Sequence, residues 1–216
     1  MSMKINKPNI SKDLVISDDL LPLLENAQRE ESDIEETHFK GLEFKELDLS
    51  RLSFIDIIFE NCEFIHCSFN KIDFRDVHFK SCNLSNSDFC DGYFSRCEFT
   101  ACKVIGADFL NAEFQNISLV NSNFQYANFG KAKMSNFEVS ECDMSHSSIT
   151  ECKLKNIAFN EVRFIETSFF KTPLKGIDFT QCQIDGLIVS GEELKGAIVT
   201  TYQAAELAKL LGLIVR

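Results

Sequence analysis

From Ile34 to Leu194 every fifth residue is large and apolar, with no exception and no slip of phase. Phe dominates the row, which reads Phe39, Phe44, Leu49, Phe54, Phe59, Phe64, Phe69, Phe74, Phe79, Leu84, Phe89 and onward to Phe179, Ile184, Val189 and Leu194. It takes in every Phe of the chain except Phe137 and Phe170. A period of five fits neither the 3.6 of a helix nor the 2 of a strand, so the chain is an internal repeat.

Each pentad has a grammar. Two residues before each large centre stands a small or moderately apolar one (Cys62, Cys67, Ile72, Val77, Cys82, Ser87, Gly92, Cys97, Cys102, Ala107), and eight of the nine Cys occupy this position, all but Cys90. Immediately before the centre the chain favours Asp, Asn, Glu or Ser, as at Asp48, Asp73, Asn83, Asp88, Asp108, Asn123, Asn128, Asp143 and Asp178. These residues bond to nearby backbone and favour turns. A pentad therefore presents an inward small residue, a polar one, an inward large one and two outward ones.

This pattern resembles the pentapeptide-repeat family, whose consensus is A(D/N)LXX. The resemblance implies an all-β fold, a right-handed quadrilateral β-helix in which four pentads make the four sides of a coil. Four sides require inward positions twenty residues apart to share character. The column Leu42, Cys62, Cys82, Cys102, Ser122, Cys142, Val162, Cys182 holds five Cys, whereas Thr37, Ile57, Val77, Cys97, Ile117, Phe137, Ile157, Ile177 is mostly bulky. A third, Leu47, Cys67, Ser87, Ala107, Ala127, Ser147, Thr167, Leu187, is small in its middle. The span from Ile34 to Leu194 corresponds to about eight coils, a rod on the order of 40 Å long at an inter-strand spacing of ~4.8 Å.

Three segments are expected. Residues 1–30 lie outside the register and hold a capped amphipathic helix after Ser17-Asp18-Asp19, with Pro22 in its first turn, as a lid on the first coil. Residues 31–198 form the β-helix, with Pro173 its one conspicuous break. Residues 199–216 form a C-terminal helix and tail, stopped by Gly212.

The formal charge is −11, and because the two terminal segments cancel, all of it falls on residues 31–198. An acidic body repels nucleic acid and acidic membranes and favours a basic partner. Sorted by side, the one through Phe59, Phe99, Val139, Phe159 and Phe179 nets −4 and carries Glu60, Glu98, Glu138, Glu141, Glu161 and Asp178, while the next nets −3. The side through Phe54 runs from acidic, near Glu35, Glu36 and Asp56, to basic, near Lys133, Lys153, Lys155 and Lys175.

Chemistry is dispersed by such a ladder. No catalytic, cofactor or metal site is expected: the four His sit coils apart, the stacked Cys suit core packing rather than tetrahedral zinc, and carboxylate pairs such as Asp73 with Asp76 or Glu192 with Glu193 fall on solvated turns. The N-terminus Met1-Ser2-Met3-Lys4-Ile5-Asn6-Lys7-Pro8 shows no export signal and no run of eighteen apolar residues exists, so a cytoplasmic protein with reduced thiols is expected.

At the C-terminus, Leu194-Lys195-Gly196-Ala197, then Tyr202-Gln203-Ala204, Leu207 and Leu211-Gly212-Leu213, resemble the closing segment of the Qnr-type quinolone-resistance proteins, L-x-G-V and Y-Q-A-x-x-L-x-x-x-L-G. That resemblance implies a non-enzymatic homodimer of two rods joined head to head through Tyr202, Leu207, Leu210, Leu211, Leu213 and Ile214. It implies an acidic DNA mimic that binds DNA gyrase or topoisomerase IV, inhibiting it or protecting it from quinolones. Duplex DNA carries roughly 24 charges over 40 Å, so mimicry by this chain rests on its acidic sides and shape rather than its total charge. Unlike the Gram-negative members, the chain has no loop interrupting the repeat, and it adds the N-terminal extension. The alternative is a structural or scaffolding module for another basic protein.

Overall fold

The computed structural model describes residues 5–210 and 212–215. Ten strands and two helices follow one another: β1 (Val15–Ser17), α1 (Leu21–Glu30), β2 (Ile34–Lys40), β3 (Glu43–Lys45), β4 (Ser53–Glu60), β5 (Glu63–Ile65), β6 (Asp73–Lys80), β7 (Tyr93–Thr100), β8 (Glu113–Val120), β9 (Lys133–Ser140), β10 (Lys153–Asn160) and α2 (Thr201–Lys209). The long strands stack in parallel in the order β1-β2-β4-β6-β7-β8-β9-β10. From β2 on, each residue pairs with the one twenty further along, as Phe54 with Phe74 and Phe74 with Phe94. Four pentads therefore close one coil, and the fold is the expected quadrilateral β-helix.

The corners explain the number five. From Glu31 to Lys171 every fifth residue has φ between about +48° and +68°, two places after each centre. Left-handed backbone costs a non-Gly residue about 1–2 kcal/mol, with Asn, Asp and Gly penalised least. Gly41, Gly106 and many Asn and Asp stand at these corners, and Gly176, Gly186, Gly191 and Gly196 continue the same phase beyond Lys171. The corner amides recover this cost by bonding to the next coil, as Asn61 N to Lys80 O at 2.9 Å and Asn121 N to Ser140 O at 3.0 Å.

The Asp and Asn before the centres act as their chemistry suggests. Asp88, Asp108, Asn123, Asn128 and Asp143 each accept from the backbone N–H two residues on, at 2.8–3.0 Å. The small inward residues also bond to backbone: Ser87 Oγ donates to Phe64 O at 2.7 Å, Thr167 Oγ1 to Met144 O at 2.8 Å, and Cys62, Cys82 and Cys102 point their thiols at carbonyls one coil back. Cys, Ser and Thr thus fill the narrow position and satisfy a buried acceptor.

Inside, Phe rings stack from coil to coil: Phe69 on Phe89 at 4.7 Å, Phe89 on Phe109 at 4.8 Å and Phe109 on Phe129 at 5.0 Å, all within 7° of parallel. Phe137, off the row, is buried edge-on to Phe114, whereas Phe170 is exposed.

The solenoid makes about seven turns rather than eight. The strand side holds seven successive strands from β2 to β10 and then ends, because the next strand would begin at Pro173, which has no N–H to join the ladder. Other sides of the eighth coil continue, with bridges from Arg163 to Gln183, Ser168 to Ile188 and Asp178 to Ile198. At the first coil, α1 buries Leu24 and Ala27. Its N-cap is Leu20 rather than Ser17 or Asp18, and Asp19 accepts the N–H of Leu21 at 3.0 Å.

Candidate partner-binding faces

The structure divides the six carboxylates of the most acidic side. Glu60, on β4, lies 2.7 Å from His38 Nε2 and 3.5 Å from Lys40 Nζ, and the His38 hydrogen bond is the main reason its carboxyl titrates below its ordinary value. Glu98, on β7, sits 3.8 Å from His78 and 4.0 Å from Lys7. Further along, Glu138 projects from β9 between Ser118 and Ala158 of the neighbouring strands. Glu141 and Glu161 stand one above the other at successive corners, with φ of 55° and 54°. Asp178 accepts from Thr180 N at 2.8 Å, and its bonds to the Thr180 hydroxyl and N–H lower its pKa. Among the described residues none of these last four has an ion-pair partner, and from Phe137 on this side carries no basic residue.

The N-terminal extension does more than cover the end of the rod. β1 adds an edge strand to β2. Before it, residues 5–12 run along the side of the solenoid across successive coils: Ser11 N donates to Asp56 Oδ1 at 2.9 Å, Asn9 N to Asp76 Oδ1 at 2.8 Å and Asn6 N to Asn116 Oδ1 at 3.5 Å. Five extended residues span roughly 16 Å, close to the roughly 14 Å of three coils, so the strap lies nearly straight along the axis.

Two carboxylates expected on solvated turns are therefore buried. Asp76 is 8% exposed, beneath the strap and bridged by Arg96 through bonds of 2.7 and 2.5 Å. Burial works to raise its pKa, but the guanidinium and the Asn9 N–H outweigh it, and the net direction is down. Glu193 is 6% exposed because its oxygens accept the N–H groups of Lys171, Ser190 and Gly191 and the Ser190 hydroxyl. The strap left one readable mark: Asp56, Asp76 and Asn116 share a column twenty residues apart. Nothing in the extension itself advertised its partner.

At the other end, α2 is closed by a reciprocal cap in which Thr200 Oγ1 accepts from Gln203 N and Gln203 Oε1 from Thr200 N. The same Gln203 side chain donates to Phe179 O and Cys182 O, both at 2.8 Å, and so plugs the last coil. Leu207 packs half-buried against the core, where Leu194, Ala197, Val199, Ala204 and Ala208 line an apolar cleft. Tyr202 is 73% exposed and Ile214 86%, with Leu210 and Leu213 also open to solvent. Leu211 lies outside the described residues.

No curated protein matches the chain. The profile of the pentapeptide repeat region matches residues 52–129 and 92–169, more than half of it. The chain belongs to the pentapeptide-repeat family. Among solved structures, this pentapeptide-repeat chain is similar to a trypsin-treated QnrB1, described as a plasmid-mediated fluoroquinolone resistance protein, with 25% identity, a TM-score of 0.55, and coverage of 86% of this chain and 94% of that one. A second trypsin-treated QnrB1 variant is 27% identical, covering 86% and 92%, with a TM-score of 0.49. HetL, a pentapeptide repeat protein involved in heterocyst differentiation regulation from the cyanobacterium Nostoc sp. strain PCC 7120, is 14% identical, covering 77% and 89%, with a TM-score of 0.31. Fold and resemblance together make this a Qnr-like pentapeptide-repeat protein. Among the described residues no helix is long and apolar enough to cross a membrane, and no group of three or more His, Cys, Asp or Glu is placed to hold a metal ion.

Proposed function

We propose that the chain is a non-enzymatic DNA mimic that binds DNA gyrase or topoisomerase IV, inhibiting it and shielding it from quinolones. The observation that carries this reading is the run of carboxylates Glu138, Glu141, Glu161 and Asp178, without ion-pair partners among the described residues, along one side of a narrow rod. Corners one coil apart place like charges at roughly 5 Å, closer than folding alone favours and suited to a cationic groove. Glu60 and Glu98 contribute less, because His38, Lys40, His78 and Lys7 already stand beside them.

In this reading residues 31–198 are the binding rod and residues 199–216 join two copies in the cytoplasm through Tyr202, Leu207, Leu210, Leu211, Leu213 and Ile214. Exposed aromatic and aliphatic side chains at the tip of a helix favour such a contact. The triple reversal Glu138→Lys, Glu141→Lys, Glu161→Lys is expected to weaken inhibition of gyrase supercoiling at least tenfold while the circular dichroism spectrum is unchanged. Undiminished inhibition by that variant would sink the proposal and favour a scaffold for some other basic protein.

A further inference from the structure

The contacts of residues 5–12 show how this side of the solenoid holds a polypeptide. Three backbone N–H groups reach side-chain oxygens of one corner column, and Lys7 approaches Glu98. The segment itself stays shallow: Asn6, Lys7, Asn9, Ser11 and Lys12 are exposed, and only Ile5, Pro8 and Ile10 are half-buried. An extended chain laid across parallel strands cannot join their hydrogen-bond ladder, so the corner side chains are what it binds. Proline fits such a path because it favours extended backbone and has no N–H to leave unpaired.

Backbone groups, one lysine and a few half-buried apolar atoms are features many basic segments share. Two of its amides end on the buried carboxylates Asp56 and Asp76, while exposed Lys7 meets half-buried Glu98 only at 4.0 Å and Asn6 N reaches Asn116 only at 3.5 Å. Its covalent tether adds an effective concentration in the mM range for a short link, which a free segment of the same sequence lacks.

We propose that the column Asp56, Asp76 and Asn116, with Glu98 beside it, is a docking groove for an extended basic polypeptide segment, and that residues 5–12 are an exchangeable occupant of it. A partner's basic segment displaces the strap and takes over the same amide and lysine contacts. This holds whichever protein the bare carboxylates further along the rod serve.

The test uses a fluorescein-labelled octapeptide with the sequence of residues 5–12 and fluorescence anisotropy on the full chain. Lys7→Glu sets a carboxylate against Glu98 and loosens the chain's own strap, so this variant is expected to bind the probe at least fivefold more tightly than the unsubstituted chain. Adding Asp56→Gly and Asp76→Gly should abolish the gain, and Gly is tolerated at such corners, as Gly41 and Gly106 show. Glu98→Gln, a change of charge without change of size, placed in the Lys7→Glu chain, should lower probe affinity at least threefold even if the double glycine variant fails to fold. Equal affinity of the Lys7→Glu and unsubstituted chains, binding by neither, or binding indifferent to Glu98 overturns the proposal.

Discussion

One side of the rod has two characters. Through β8 its carboxylates are matched by His38, Lys40, His78 and Lys7, its corner column is covered by the strap, and its inward residues are sealed. From β9 onward Glu138, Glu141, Glu161 and Asp178 have no ionic partner among the described residues. At β10 the inward Leu154, Ile157 and Phe159 are only half-buried, where Met134, Phe137 and Val139 of β9 are sealed. One repeat thus yields a neutralised half and a charged one, and within the charged half β10 is the loosely packed strand. Stability and partner binding are separable along the axis because each coil touches mainly its neighbours.

The packing difference is the largest effect to test. Phe109, sandwiched between Phe89 and Phe129, is expected to cost about 3–5 kcal/mol on replacement by Ala. Half-buried Phe159→Ala should cost about 1–2 kcal/mol, part of the full transfer value with little cavity left behind. Urea unfolding of both variants gives the comparison, and equal costs would show that the last coils are packed as tightly as the middle.

A smaller effect concerns what holds the loose half closed. Gln203→Ala leaves the carbonyls of Phe179 and Cys182 without their donor and removes half of the α2 cap, for an expected loss of about 1–3 kcal/mol. Amide exchange should quicken in α2 and the last coil before it does near β6. Uniform exchange along the rod would mean that the two halves unfold as one.

The smallest effect is set by pH and belongs to the covered half. His78 is held below its ordinary pKa mainly by burial; Glu98 pulls the other way, and Lys80 and Lys7 add to the lowering. The unfolded chain then takes up the proton first, so stability falls as pH drops through about 6.5 and the loss is complete once the folded pKa is passed. Asp76, whose folded pKa is depressed, adds its own loss only at lower pH, as the carboxylate protonates. His78→Gln should flatten the melting temperature between pH 7 and 5, and an unchanged slope would place the sensitivity elsewhere.

The repeat itself was legible from residue types. A Phe every fifth position admits only a coil with four short sides once columns of Cys and of branched residues recur at twenty, and the Asx turns follow from side-chain chemistry. The corners carry a local signal too, since Gly41, Gly106 and many Asn stand two residues after a centre, where the backbone is left-handed. The candidate face was visible as a charge pattern, but not its division, because pairing depends on which side chains meet across coils.

Residue types alone settle the local part: period, inward and outward positions, turn chemistry and the helix that closes the chain. Each follows from steric and hydrogen-bonding preferences acting within a few residues. Only the tertiary structure decided where residues 5–12 lie, why Asp76 and Glu193 are buried, and that Pro173 ends the strand side one coil early. The strap, Asp76 and the missing strand turn on contacts between residues 20 to 110 positions apart, which carry no local signature, and Glu193 joins Lys171, 22 positions back, to its neighbours Ser190 and Gly191.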